Sequence, residues 1–108
     1  MIAQNNRVIL HWFSGTVREL ETAVAAGVYF SVNHQVVRSA KGKQLISLMP
    51  PNRVLTETDA PFTFDATITT REQSLRQTVG QLALIWQMTQ EQARALVWDN
   101  FKQLLMNS

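Results

Sequence analysis

The sequence predicts an α/β protein in which three parallel strands alternate with helices and two longer helices close the chain. Three short segments rich in β-branched and aromatic residues are each followed by a turn or a helix-start signal, the order typical of parallel βαβ units. After residue 70 two longer amphipathic patterns follow, and no further strand-like segment occurs. The 108 residues, 45% of them hydrophobic, are therefore expected to form a single segment of one domain that buries a core.

The three predicted strands cover residues 7–13 (RVILHWF), 28–32 (VYFSV) and 53–58 (RVLTET). Each is short and rich in residues that favour strands. The first strand ends at Ser14-Gly15, the second runs into a polar segment, and the third leads into Asp59-Ala-Pro61 and an irregular stretch that ends near Thr69.

The helix between the first two strands begins at a capping box, Thr16-x-x-Glu19, and ends at Gly27. A second helix is predicted over residues 39–49, with Leu45, Ile46 and Met49 on its apolar side. It ends before Pro50-Pro51, and its first turn is weakened by Gly42.

Two longer helices begin at the capping-box matches Thr70-x-x-Gln73 and Thr89-x-x-Gln92. We expect apolar stripes on both to pack against the core. The stripe of the first helix is formed by Leu75, Val79, Leu82 and Trp86, and that of the second by Ala93, Leu96, Val97, Asn100, Phe101 and Leu104.

Composition excludes several classes of protein and site. Ten Lys and Arg residues against eight Asp and Glu give a net charge of only +2, which is weak evidence for nucleic-acid binding. Cysteine is absent, so disulfides and thiolate metal sites are excluded, and any metal must be bound by His, Asp or Glu. No signal peptide is expected, because residues 1–6 carry no apolar stretch, and no apolar run is long enough for a membrane span. We therefore expect a cytoplasmic protein.

Two residues that can bind metal end neighbouring strands of the predicted sheet. His11 lies near the end of the first strand and Asp59 follows the third. Because parallel strands bring their carboxyl ends to one edge, both side chains can reach one site, and imidazole with carboxylate suits a divalent ion. The alternatives are an ordinary hydrogen-bonded histidine and, for Asp59, an Asx-type turn.

Glu57 shares strand parity with Asp59, so both carboxylates are expected on the same face of the sheet. A buried carboxylate needs a partner or a metal because desolvation without one is costly. A salt bridge to Arg7 on the first strand is the alternative for Glu57.

The same edge holds candidates for phosphate contacts. Ser14 and Gly15 lie where a strand passes into a helix, and free backbone amides there can hold an anion. Arg38 and Lys41 follow the second strand and add positive charge, although a solvated helix start explains them as well.

Asn33 and His34 also follow the second strand, directly at its end. His34 can be a ligand, a base or an exposed polar residue, and the last interpretation is preferred.

Three segments resemble the TatD-type metal-dependent deoxyribonucleases. His11-Trp-Phe-Ser-Gly15 resembles the family's HCFSG segment, Leu55-Thr-Glu-Thr-Asp-Ala-Pro61 resembles its ETDAP segment, and Asn100-Phe-Lys-Gln-Leu-Leu105 resembles its terminal N-F-x-x-L motif. Their order and spacing match, so the similarity reaches over nearly the whole chain. Phe30-Ser-Val-Asn33 and Arg38-Ser39 also resemble the TatD-like branch associated with the Qat anti-phage defence system.

This resemblance implies a TIM-type (β/α)8 barrel that binds Mg, Mn or Zn ions and hydrolyses phosphodiester bonds in DNA. His11 matches the metal-ligand histidine of the sixth strand. Asp59 matches the aspartate of the eighth strand, which binds metal and orients or deprotonates the attacking water. Glu57 belongs to the same motif and is expected to support the ligands rather than to act in catalysis.

Other metal-binding motifs of the family have no counterpart here: the His-x-His or His-x-Asp of strand one, the mid-chain glutamate and the histidine of strand five. We therefore expect the C-terminal part of a barrel of about 250 residues, inactive alone, with Ser14, Gly15, Arg38 and Lys41 as substrate contacts. The missing barrel half, a second copy or defence-system subunits are the expected protein partners. The alternative function is a non-catalytic α/β interaction module, such as a subunit of a phage-defence complex, that binds through its open sheet edge.

Overall fold

The computed structural model describes residues 9–11, 16–57, 65 and 67–106, with only the backbone of His11. This part of the chain forms an α/β fold in which a small parallel sheet packs against helices. Its elements in order are β1 (Ile9–His11), α1 (Val17–Ala25), β2 (Tyr29–Val32), α2 (His34–Arg38), α3 (Ala40–Ser47), a 3-10 turn (Pro51–Arg53), β3 (Val54–Thr56), α4 (Arg71–Trp86) and α5 (Gln90–Met106).

The sheet confirms the predicted parallel arrangement. Its strand order is β1-β2-β3, and both pairings are parallel. Phe30, Val32 and Val54 belong to the core formed with the helices, whereas Tyr29 and Leu55 lie on the other face and are also buried. All four residues of β2 are buried, the pattern of an inner strand covered on both faces.

Three helices begin at the predicted capping residues. The side chain of Thr16 accepts a hydrogen bond from the backbone of Glu19, and the reciprocal bond completes the box. Thr70 and Gln73 form the same pair at the start of α4. At the start of α5, the Thr89 hydroxyl accepts from the backbone of Gln92, whose side chain accepts from the Thr89 N–H. Gly27 follows α1 with a positive φ of 77°, so the predicted stop is correct.

The segment after β2 differs from the prediction because an unpredicted helix precedes the expected one. Asn33 caps α2, which spans His34–Arg38, and Ser39 then caps α3 through a hydrogen bond to the N–H of Gly42. Ser39 is extended, with φ −79° and ψ 149°, and separates the two helices. The apolar side of α3 is as predicted: Leu45, Ile46 and the following Met49 are buried.

The buried face of α4 matches the predicted stripe only in part, since Leu82 belongs to the core and Trp86 packs against it. Ser74, Thr78, Leu82 and Ala83 are buried, whereas Leu75 is 38% exposed. Only Leu82 of the predicted set is fully buried. The physical reason is the contact between α4 and α2, where the Ser74 hydroxyl lies 2.7 Å from Nδ1 of His34 and small residues leave room for the imidazole.

α5 packs as predicted and is tied to the sheet by a polar side chain. Ala93 and Val97 are buried, and so is Asn100. Nδ2 of Asn100 donates to the carbonyls of Pro51 and Val54, each at 2.8 Å. Among the described helices, none is long and apolar enough to cross a membrane.

Candidate functional site at the carboxyl edge of the sheet

The carboxyl ends of the three strands meet at one edge of the sheet, as the sequence predicts. His11 pairs with Ser31, and Ser31 pairs with Leu55. The N–H of Glu57 donates to the carbonyl of Val32 at 2.8 Å, which continues the parallel ladder beyond β3. The end of β1, the residue after β2 and Glu57 are therefore neighbours along this edge.

Several predicted site residues lie outside the described residues. These are Ser14, Gly15 and Asp59, together with the side chain of His11. The strand that carries His11 and the strand that leads to Asp59 belong to one sheet, but they are not neighbours as predicted, because β2 lies between them. The approach of the imidazole to the Asp59 carboxylate stays a prediction.

The described residues alone do not supply a metal site. No group of three or more His, Asp or Glu side chains comes together within the described ranges. Glu57 is half-buried at the end of β3, where a supporting role beside Asp59 was predicted. Its proposed alternative partner, Arg7, lies outside the described residues.

Arg38 forms an ion pair that sequence reasoning did not anticipate. Its Nη2 donates to Oδ2 of Asp65 at 2.7 Å, and both side chains are 36% exposed. The guanidinium, followed by the N–H groups of Thr67 and Ile68, holds the pKa of the Asp65 carboxyl well below its usual range. Arg38 thus joins the end of α2 to the segment that precedes α4, and its predicted contact with substrate stays a prediction.

Lys41 is exposed on the first turn of α3. The hydrogen bonds from Thr16 lower the pKa of Glu19, and the charge of Lys41 contributes to the same shift. The ammonium group therefore lies within electrostatic reach of the start of α1, the helix that follows β1. The predicted contact of Lys41 with substrate stays a prediction.

His34 is fully buried, so the preferred interpretation as an exposed polar residue is wrong. Nδ1 of its ring lies 2.7 Å from the hydroxyl oxygen of Ser74, which is also fully buried. The partner is distant in the sequence and is brought near by the packing of α4 against α2. No local pattern around His34 indicated this contact.

The sequence predicted Asn33 at the carboxyl edge of the sheet but assigned it no function. Its Oδ1 accepts hydrogen bonds from the N–H groups of Gln35 and Val36, each at 3.0 Å, and the residue is fully buried. Asn at an N-cap is a recognisable sequence signal. It was missed because the helix that it caps is only five residues long.

A groove of about 490 Å³ lies between α4 and α5. Its apolar lining includes Leu75, Val79, Trp98 and Phe101, and it reaches Thr56 at the end of β3. Thr56 has the strand parity of Val54 and faces the helices, so this groove is separate from the face on which Asp59 is expected.

Comparison with known proteins decides the family. The model of the family described as "TatD related DNase" matches residues 1–106. The chain belongs to this family. The TatD-family resemblance predicted from three motifs is thereby confirmed, and the three-stranded parallel sheet is the fold expected for part of its barrel.

Several curated relatives of this TatD-family chain are named 3'-5' ssDNA/RNA exonuclease TatD. Those from Shigella flexneri and Escherichia coli K12 are each 33% identical over 82 residues, covering 73% of this chain and 32% of the relative. The relative from Erwinia billingiae is 39% identical over 57 residues, covering 50% of this chain and 22% of the relative. The chain spans about a third of the length of the first two.

Proposed function

We propose that this chain is the C-terminal part of a divalent-metal-dependent nuclease that hydrolyses phosphodiester bonds in DNA when the remaining barrel strands are present. One observation carries the proposal: a match to the TatD-related DNase family over residues 1–106 in a chain whose parallel strands bring their carboxyl ends together. The relatives' shared name supports single-stranded DNA or RNA as the substrate class.

His11 and Asp59 are the residues that would hold the metal. An imidazole and a carboxylate on the outer strands of the three suit Mg, Mn or Zn, with further ligands supplied by the rest of the barrel. The ion would supply Lewis acidity and offset the charge that develops on the phosphate group. The Asp59 carboxylate would also orient or deprotonate the attacking water. Glu57 would support the metal ligands from the end of β3, where its backbone N–H donates to the carbonyl of Val32.

Phosphate groups of the substrate would be bound around this edge. Ser14 and Gly15 contribute backbone amides before α1, and Lys41 contributes positive charge near the start of that helix. Arg38 uses one of the five guanidinium N–H groups for Asp65, which fixes its position and leaves further donors for an oxyanion.

The test compares this chain alone with the same chain joined to the preceding barrel strands of a TatD relative. Each protein is incubated with a labelled single-stranded oligodeoxynucleotide and Mg, Mn or Zn. We expect cleavage only by the joined protein, and its loss when a chelator removes the metal. A folded joined protein that cleaves nothing with any of the three ions would contradict the proposal.

Variants of the joined protein identify the ligands. His11→Ala and Asp59→Ala should each lower cleavage by more than about a hundredfold and weaken metal binding, because each removes a ligand. Lys102→Ala is the matched control, since Lys102 pairs with the exposed Asp99 on α5. Unchanged metal affinity in both ligand variants would remove His11 and Asp59 from the site.

Membership of the anti-phage branch stays a prediction. A non-catalytic defence subunit would bind its partner equally well with His11→Ala and Asp59→Ala, which distinguishes it from a nuclease.

A further inference from the structure

The side-chain amide of Asn33 forms hydrogen bonds through its oxygen, Oδ1, but not through its nitrogen, Nδ2, among the described residues. Oδ1 accepts from the N–H groups of Gln35 and Val36, which fixes the orientation of the carboxamide. Nδ2 is buried and has no hydrogen-bond partner among the residues that the structure describes. A buried donor left unpaired costs free energy, and native proteins keep one where a ligand, ion or water satisfies it.

The position of this donor points to the carboxyl edge of the sheet. Asn33 is extended, with φ −124° and ψ −179°, so it continues β2 and shares the face of Ser31. Ser31 pairs with His11 on one side and Leu55 on the other. Asn33 therefore follows the central strand, between the two strands that bring His11 and Asp59 to the predicted metal site.

We propose that Nδ2 of Asn33 donates a hydrogen bond to a phosphoryl oxygen of the nucleic-acid substrate, which makes Asn33 a substrate-positioning residue. This inference rests on the proposed nuclease function. An amide NH₂ group has no lone pair to give a metal ion, so its partner is an acceptor. The proposed metal, Arg38 and Lys41 would attract anions to this edge, so the acceptor that we assign to Nδ2 is a phosphate oxygen.

Helix capping alone does not account for this residue. The cap uses only the side-chain oxygen, and serine, threonine or aspartate at an N-cap supplies an equivalent oxygen. A capping role therefore predicts that Asn33→Ser and Asn33→Asp behave like the native chain. A role for Nδ2 predicts that both variants fold and bind phosphate less tightly, because both lack the donor.

The experiment follows the side-chain amide of Asn33 by nuclear magnetic resonance in the full chain labelled with ¹⁵N. The probes are inorganic phosphate and a short oligothymidylate. We expect a saturable shift of the Asn33 amide signal with both probes, and dissociation constants about 10- to 100-fold higher in Asn33→Ser and Asn33→Asp. Thr70→Ala is the control, because it removes the cap of α4 and leaves Asn33 intact.

An Asn33 amide signal that does not move with either probe would overturn the inference, and so would variants that bind phosphate as the native chain does. Hydrolysis by the joined protein is measured separately. DNA cleavage without any response of Asn33 contradicts this inference alone. A response of Asn33 without cleavage contradicts the proposed nuclease function and leaves phosphate binding standing.

Discussion

Asp65 connects two parts of the chain that are remote in sequence. Its Oδ2 accepts from Arg38 at the end of α2, and its Oδ1 accepts from the N–H groups of Thr67 and Ile68, each at 2.8 Å. The N–H of Asp65 in turn donates to the carbonyl of Ile68 at 3.0 Å. The ionised Asp65 carboxylate thus stabilises the turn that precedes α4 through hydrogen bonds, and its ion pair with Arg38 connects this turn to the segment after β2.

Acidification tests this connection. Because the pKa of Asp65 is lowered in the folded protein, its ionised form stabilises the fold above the unfolded pKa of about 3.9, and this contribution is lost as the pH falls below that value. In Asp65→Asn we expect a lower urea midpoint at about pH 6, and a difference from the native chain that shrinks below about pH 4. If the urea midpoints of Asp65→Asn and the native chain differ by the same amount at every pH in this range, the ionisation of Asp65 does not contribute to stability.

Asn100 is the buried polar residue that joins α5 to the sheet. In Asn100→Ala, the carbonyls of Pro51 and Val54 lose their donor inside the protein. We expect a loss of about 2–4 kcal/mol in the free energy of unfolding, measured by urea denaturation. Asp99→Ala is the control and should cost less than about 1 kcal/mol, because its pair with Lys102 is exposed. Equal losses in the two variants would contradict a structural role for Asn100.

At the scale of elements, the junction of α2 and α3 depends on Gly42. A Cβ atom at this position would overlap the carbonyl oxygen of Val36 and lie 2.7 Å from the Ser39 hydroxyl oxygen. Glycine weakens a helix in general, as the sequence suggested, but here it permits the first turn of α3 to approach the backbone of α2 at Val36. The close backbone approach, and not helix propensity, explains the residue.

Gly42→Ala should therefore destabilise the protein by at least about 1–3 kcal/mol, although alanine is the better helix former. Gly80→Ala within α4 is the matched control. Its Cβ would meet only the flexible side chain of Gln90, at 3.1 Å, so a gain of up to about 1 kcal/mol is expected. The measurement is thermal or urea unfolding of both variants, and a stabilised Gly42→Ala would show that the two helices can separate without cost.

Local signals predicted the elements well, because capping boxes and strand composition act within a few residues. Thr16 and Thr70 begin helices as expected, and β2 and β3 lie within the predicted segments. The predicted buried face of α4 was incomplete because it lacked Ser74, whose partner His34 is 40 residues away in the sequence. The prediction for Arg38 was incomplete for the same reason, since its ion-pair partner Asp65 is 27 residues away in the sequence.

The candidate site was predictable only in outline. Parallel strand order places the ends of β1, β2 and β3 together, and that much follows from the alternation of strands and helices. The unpaired donor of Asn33 was not predictable, because it follows from which carboxamide atom caps α2. The strand ends suggested His11 and Asp59 as metal ligands and the motif resemblance supported them, although no local spacing joins the two residues.

At the scale of the whole molecule, the sheet has one inner strand and two outer ones within the described residues. β2 pairs with both neighbours, whereas β1 and β3 each pair on one side. Because the chain spans about a third of the first two TatD relatives, its outer strands are the places where further barrel strands would add. The stability of the backbone should therefore differ across the sheet.

Hydrogen exchange measures this difference directly. In the chain alone we expect the amides of β2 to exchange at least about tenfold more slowly than those of β1 and the outward-facing amides of β3, because opening an outer strand breaks one ladder and opening β2 breaks two. In the chain joined to the preceding strands, exchange in β1 and β3 should slow, while β2 changes little. If the amides of β1 and β3 exchange as rapidly in the joined protein as in the chain alone, the added strands do not pair with this sheet. That result would contradict a barrel fragment and would favour an interaction module whose sheet edges stay open.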